Sequence, residues 1–177
     1  RVLFRSQLRL GYSTDAAQTL GNLGSYDLTD VKLFTQAGLD LVRQGDSATA
    51  QKMLDLAQKN EPTTVTELTR VGILKLTLQD AQGIQDLEQA LAIDPKAMQA
   101  RLVLTQAHIS NNDFADAINV AKQWVEAAPE EITAYNLLAE VYELSGQMQS
   151  ASDVHEQALQ LSSNNPSSLA FKAKQAE

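Results

Sequence analysis

Small residues return along this chain at a fixed interval, and no other feature constrains its fold as tightly. Gly38, Gly72, Thr105 and Ala139 are spaced 34, 33 and 34 residues apart. Ala50, Gly83, Ala117 and Ala151 are spaced 33, 34 and 34, and Ala57, Ala90, Trp124 and Ala158 repeat that spacing. Pro62, Pro95 and Pro129 follow at 33 and 34. A period of this length marks a stack of supersecondary units, none of which can bury its apolar face alone. Pro166 falls 37 residues after Pro129, so Ser163 takes the fourth proline slot and Pro166 belongs to the next element. One residue is missing between Gly72 and Gly83. The turn around Leu78, Gln79 and Asp80 is the expected place, because turns tolerate deletion better than helices do.

Each unit reads as two amphipathic helices, A then B. The clearest copy is "AYNLLAEVYELSGQMQSASDVHEQAL", Ala134 to Leu159. Ala139 on helix A, with Ala151 and Ala158 on helix B, allows close approach of the two. Tyr135, Leu138 and Tyr142 are large enough to fill the space between neighbouring pairs. Gly45 and Gly146 stand where helix A ends and a left-handed residue is wanted. Asn112 occupies the same slot and is the next best residue there. Pro62, Pro95 and Pro129 stop helix B.

This period and punctuation resemble the tetratricopeptide repeat. Tyr135, Leu138, Ala139, Tyr142, Gly146, Ala151, Ala158 and Leu159 carry the resemblance, while Lys75 (in the place of Tyr142) and Trp124 (in the place of an alanine) depart from it. The resemblance implies an all-α fold, a right-handed superhelical array of antiparallel helix pairs. Complete repeats are expected at 31–64, 65–97, 98–131 and 132–165. Residues 1–30 fit a partial repeat, since Gly11, Ala16 and Leu20 lie 34 before Gly45, Ala50 and Leu54. Phe4 departs from the pattern there. Residues 166–177 make a terminal helix or the start of a further repeat, and Leu169 and Phe171 favour the second. Ends of this kind expose faces made for neighbours. Self-association through them, or a disordered Val2–Leu10, is therefore expected.

A narrower resemblance runs from Ile73 to Gly146, through "LEQALAIDP", "ARLVLTQAHI", "AINVAKQWVEAAP" and "AYNLLAEVY". It is to the bacterial PEP-CTERM-system tetratricopeptide lipoproteins. It implies a periplasmic or outer-membrane-associated scaffold in envelope export or exopolysaccharide assembly. A cytoplasmic location stays open.

Charge and composition exclude other classes. The net charge is −8 and the isoelectric point about 4.7, so the chain has no electrostatic reason to bind nucleic acid or an anionic membrane. It has no cysteine, which removes disulfides, thiolate metal sites and a cysteine nucleophile. There is no apolar run long enough to insert in a membrane. No phosphate loop, zinc-protease motif or nucleophile elbow occurs. "GNLGS" at 21–25 matches a phosphate cradle only in glycine content. His108 and His155 fall at packing positions in different repeats, and Trp124 is expected to pack between repeats. The chain is therefore expected not to be an enzyme and to hold no cofactor or metal.

In arrays of this kind the A helices line the concave surface that binds partners. In the first repeat the residues on that face are Lys32, Thr35, Leu39 and Val42, and in the second Thr66, Thr69, Ile73 and Leu76. The third gives Gln99, Leu102, Gln106 and Ile109, and the fourth Thr133, Asn136, Glu140 and Glu143. The first three sets carry six apolar residues and one charge; the last is polar and acidic. The occupant that fits is a protein or peptide with an apolar segment and a basic end towards Glu140 and Glu143. A clamp for a C-terminal carboxylate is not expected, because Thr35 and Leu39 stand where its lysine and asparagine would be, and Asn136 alone is no clamp. The alternative is a structural spacer with no groove ligand.

Overall fold

The computed structural model describes residues 6–7, 10, 12, 15–16, 18–19, 30–59 and 61–175. Among them lie α1 (Asp30–Arg43), α2 (Ser47–Gln58), α3 (Val65–Thr77), α4 (Gly83–Ile93) and α5 (Met98–Ser110). They continue with α6 (Phe114–Ala127), α7 (Ile132–Leu144), α8 (Met148–Leu161) and α9 (Pro166–Gln175). No strand occurs among the described residues. Phe4, Gly11, Leu20, "GNLGS" and most of Val2–Leu10 lie outside them. Ala16, which is 34 before Ala50, is buried in the core of the N-terminal unit.

The A-to-B turns share one construction. Gly45, Gln79, Asn112 and Gly146 have φ of 83°, 63°, 61° and 77°. The next residue donates its N–H back across the turn: Asp46 to Leu41, Asp80 to Lys75, Asp113 to His108 and Gln147 to Tyr142, at 2.8–2.9 Å. This is the Schellman closure, which satisfies carbonyls that a helix end leaves open. Gln79 is therefore the second repeat's left-handed residue, although it is neither glycine nor asparagine. The missing residue consequently falls after Gln79, at the entry to α4. There the first helical turn is replaced by tight turns, with the N–H of Gly83 bonded to Asp80 O at 3.2 Å and that of Ile84 to Ala81 O at 3.1 Å.

Contacts divide the chain into two compact units, Arg1–Ile93 and Asp94–Glu177. In the first, α1 pairs with α2 and α3 with α4, and α3 packs on both members of the first pair. Its core gathers Phe34, Leu41, Met53, Leu54, Val71 and Leu74. Helices α3 and α4 touch through Gly72 and Gly83; a Cβ on Gly83 would lie 2.5 Å from the Gly72 carbonyl oxygen. Beside that contact Lys75 Nζ meets Asp86 Oδ2 at 2.7 Å, with side chains 8% and 13% exposed.

Helix α3 starts on a capping box. Thr64 Oγ1 accepts the Glu67 N–H at 3.2 Å, and the Glu67 carboxylate accepts the Thr64 N–H at 3.2 Å. Partial burial by itself raises the Glu67 pKa, but bonds from the Thr64 hydroxyl and the Thr64 and Thr63 N–H groups outweigh it and hold the carboxyl below its ordinary value. A depressed folded value means stability that is present above the ordinary glutamate pKa and lost as pH falls through the lower one. Glu67→Gln is thus expected to be destabilising at neutral pH, and the gap from wild type to shrink below about pH 4. Urea melts at a series of pH values check this; a gap that stays constant into acid would refute it.

In the second unit α5 pairs with α6 and α7 with α8, α7 packs on α6, and α9 packs on α8. The core centres on Trp124, Tyr135, Leu138, Tyr142, Val154 and Phe171. Trp124 is 1% exposed and is a packing residue. Tyr135 Oη donates to Pro129 O at 3.0 Å. Arg101, which is 34 residues earlier, does the same for its own repeat: Nε and Nη2 donate to Pro95 O at 3.1 and 3.0 Å. Its Nη1 reaches Val120 O at 2.8 Å. Desolvation pushes this buried guanidinium below its usual pKa. Both side chains tie helix A to the proline turn before it.

Candidate functional site

In the first unit the expected face offers little free surface. Thr35 and Thr69 are buried, 0% and 4% exposed. Their hydroxyls donate to Val31 O and Val65 O of their own helices, at 2.8 and 2.6 Å. Satisfied in this way, each presents mainly its methyl to an apolar stack. Leu39 and Val42 are half-buried against the core. Ile73 and Leu76 are half-buried, while Lys32 and Thr66 are exposed. Periodicity selects a helical face but does not show how far that face is covered.

In the second unit the face opens. Leu102 is 37% exposed, Gln99, Gln106 and Glu140 are exposed, and Thr133, Asn136 and Glu143 are half-buried. Ile109 packs against the core. A pocket of about 320 Å³ is lined by Leu102 of α5 and by Thr133, Asn136, Leu137, Glu140 and Glu143 of α7. Its other wall is Ser167, Ala170, Phe171 and Lys174 of α9, with His155 of α8 at its base. Ser167, Ala170 and Lys174 were absent from the expected face. They lie 34 after Thr133, Asn136 and Glu140, so extending the register into α9 finds them.

His155 is 2% exposed. Its Nε2 lies 3.0 Å from Glu143 Oε1 and its Nδ1 3.1 Å from Ser168 Oγ. An ionised carboxylate can only accept, so Nε2 donates to Glu143, while Nδ1 shares a hydrogen bond with the Ser168 hydroxyl. The imidazole lies against Phe171, ring centroids 4.3 Å apart. A second polar link crosses nearby: Asn165, 2% exposed, donates Nδ2 to Asn136 Oδ1 at 2.8 Å. Asn165 Oδ1 accepts the Ser167 N–H at 3.2 Å and so caps α9. The hydroxyl–imidazole–carboxylate row has the composition of a hydrolytic triad. Ser168 is 0% exposed, however, and a substrate carbonyl cannot reach its hydroxyl.

Comparison with known proteins agrees with this architecture. Two sequence profiles described as tetratricopeptide repeat match residues 78–141 and 134–169. No curated protein matches the chain in sequence. Among solved structures it is similar to the MamA protein, with TM-score 0.62 and 19% identity over 89% of this chain and 87% of that one. It is similar to YrrB, described as a TPR protein with an unusual peptide-binding site, with TM-score 0.62 and 13% identity over 96% and 88%. A tetratricopeptide repeat protein from Parabacteroides merdae aligns with TM-score 0.63 and 17% identity over 82% and 58%. These identities establish the all-helical repeat fold. None of them bears on the narrower lipoprotein resemblance.

Proposed function

The chain belongs to the tetratricopeptide repeat proteins, and from that premise we propose that it is a protein-interaction scaffold whose Asp94–Glu177 unit holds a peptide segment of its partner. The single observation that carries this is the pocket between α5, α7 and α9. It lies on the A-helix face, mixes an apolar wall (Leu102, Leu137, Ala170, Phe171) with polar groups, and is open to solvent. Concave sites that bind ligands share that make-up. YrrB, a neighbour in fold, is described as having a peptide-binding site. The resemblance of Ile73–Gly146 to envelope lipoproteins supports a setting in bacterial export or exopolysaccharide assembly, on the periplasmic side. For the first unit the spacer reading is favoured, since Thr35 and Thr69 are buried at the face where a ligand would lie.

A peptide-display selection on the whole chain tests the proposal. Peptides with an apolar anchor are expected to be enriched on the wild type. Ala170→Arg places a bulky charge in the pocket from an exposed helix position. It is expected to leave stability within about 0.5 kcal/mol and to weaken those peptides about tenfold or more. Equal binding to both proteins, or no enrichment at all, would exclude the pocket as the site.

A further inference from the structure

Resting on the reading of this pocket as a peptide site, we infer that it selects a basic side chain of the peptide, with Glu143 as the specificity residue and His155 as the residue that positions it. The register makes the argument. At the position of Glu143 the other repeats carry Val42, Leu76 and Ile109. At the position of His155 they carry Leu54, Leu87 and Ala121. Two apolar positions on different helices have become a bonded polar pair only in the fourth repeat, where the pocket opens. The fold does not require a polar pair at these two positions, because the three other repeats carry apolar residues at both.

The geometry shows what the exchange achieves. Imidazole Nε2 holds Glu143 Oε1 at 3.0 Å, and Ser168 fixes the other side of the ring. The Glu143 side chain is 34% exposed against 3% for His155. The pair therefore runs from the interior to the pocket wall and ends in a carboxylate. No described residue donates to Glu143 Oε2, and no described cation lies within ion-pair distance of Glu140, which is one turn earlier and also in the lining. Phe171 and Leu102 supply an apolar surface for the methylene stem that leads to a guanidinium or ammonium. Among the described residues Lys174 is the one lysine or arginine in the lining, on an exposed position of the last turn of α9. It competes with the incoming charge rather than occupying the carboxylates.

A defined probe set tests this on the full chain: acetyl-Ala-Leu-Ala-Ala-Arg-Ala-amide, its reversed sequence, and the same two peptides with Gln for Arg. The Arg peptides are expected to bind about tenfold tighter than their Gln counterparts. Glu143→Gln should erase that preference, and Glu143→Leu, the residue type of position 76, should do the same in a fold the register already accommodates. Lys174→Gln should enlarge the preference. His155→Leu should reduce it, and His155→Gln, whose side-chain amide can still donate to Glu143, should restore it. If Arg and Gln peptides bind equally and Ala170→Arg still removes both, the basic-residue inference is wrong and the pocket reading stands. If no probe binds in a manner sensitive to Ala170→Arg, both are wrong.

Discussion

Lys75→Leu is expected to cost about 3–5 kcal/mol, whereas Lys75→Leu together with Asp86→Met is expected to be neutral or more stable than wild type by about 1–4 kcal/mol. Lys75 and Asp86 form an ion pair at 2.7 Å with side chains 8% and 13% exposed. Removing the ammonium alone strands a carboxylate away from water. Removing both charges ends the desolvation cost. The replacements come from the chain itself: Leu41 and Met53 occupy the same two positions in the first repeat and lie in one apolar cluster. A double-mutant cycle by denaturant unfolding measures the coupling. A single variant costing less than about 1 kcal/mol would mean that the pair behaves as a solvated surface bridge.

Trp124→Ala is expected to cost about 3–5 kcal/mol. The register argues the other way, since Ala57, Ala90 and Ala158 fill this slot elsewhere and alanine there would restore the regular pattern. Burial decides between the two. Trp124 is 1% exposed inside the cluster that holds Ala121, Ala134 and Leu138. The small residues around it leave room for the indole, and alanine would leave a cavity that helices of fixed length cannot close. Leu102→Gln is the control: at 37% exposure it should shift the midpoint by no more than about 0.5 kcal/mol. A Trp124→Ala protein as stable as wild type would show that the helices re-pack to the ordinary spacing.

These two cases show which kind of information the sequence carries. Small residues at A–B contacts and left-handed residues at turns are single-position demands, so their period reads directly from the chain. Gln79 escaped because its φ of 63° is imposed by the Schellman closure rather than announced by a glycine or asparagine. Lys75 was visible as a departure, but its partner Asp86 was not, because the compensation sits on another helix. The spacing places His155 at a packing position and Glu143 at the acidic end of the partner-facing surface, each by itself. Their meaning lies in the 3.0 Å bond between them, which the spacing alone does not give. The pocket's far wall was missed for a simpler reason: α9 was not carried into the register, although Ser167, Ala170 and Lys174 repeat Thr133, Asn136 and Glu140 at 34.

The proposed function places a peptide on the A-helix face of the Asp94–Glu177 unit. Its most direct measurement is the backbone amide chemical-shift footprint of a display-selected peptide on the full chain. The expected footprint covers Thr133, Asn136, Glu140 and Glu143 on α7 together with Ala170 and Lys174 on α9, and is lost in Ala170→Arg. A footprint confined to the B helices α6 and α8, or to the first unit, would contradict the claim.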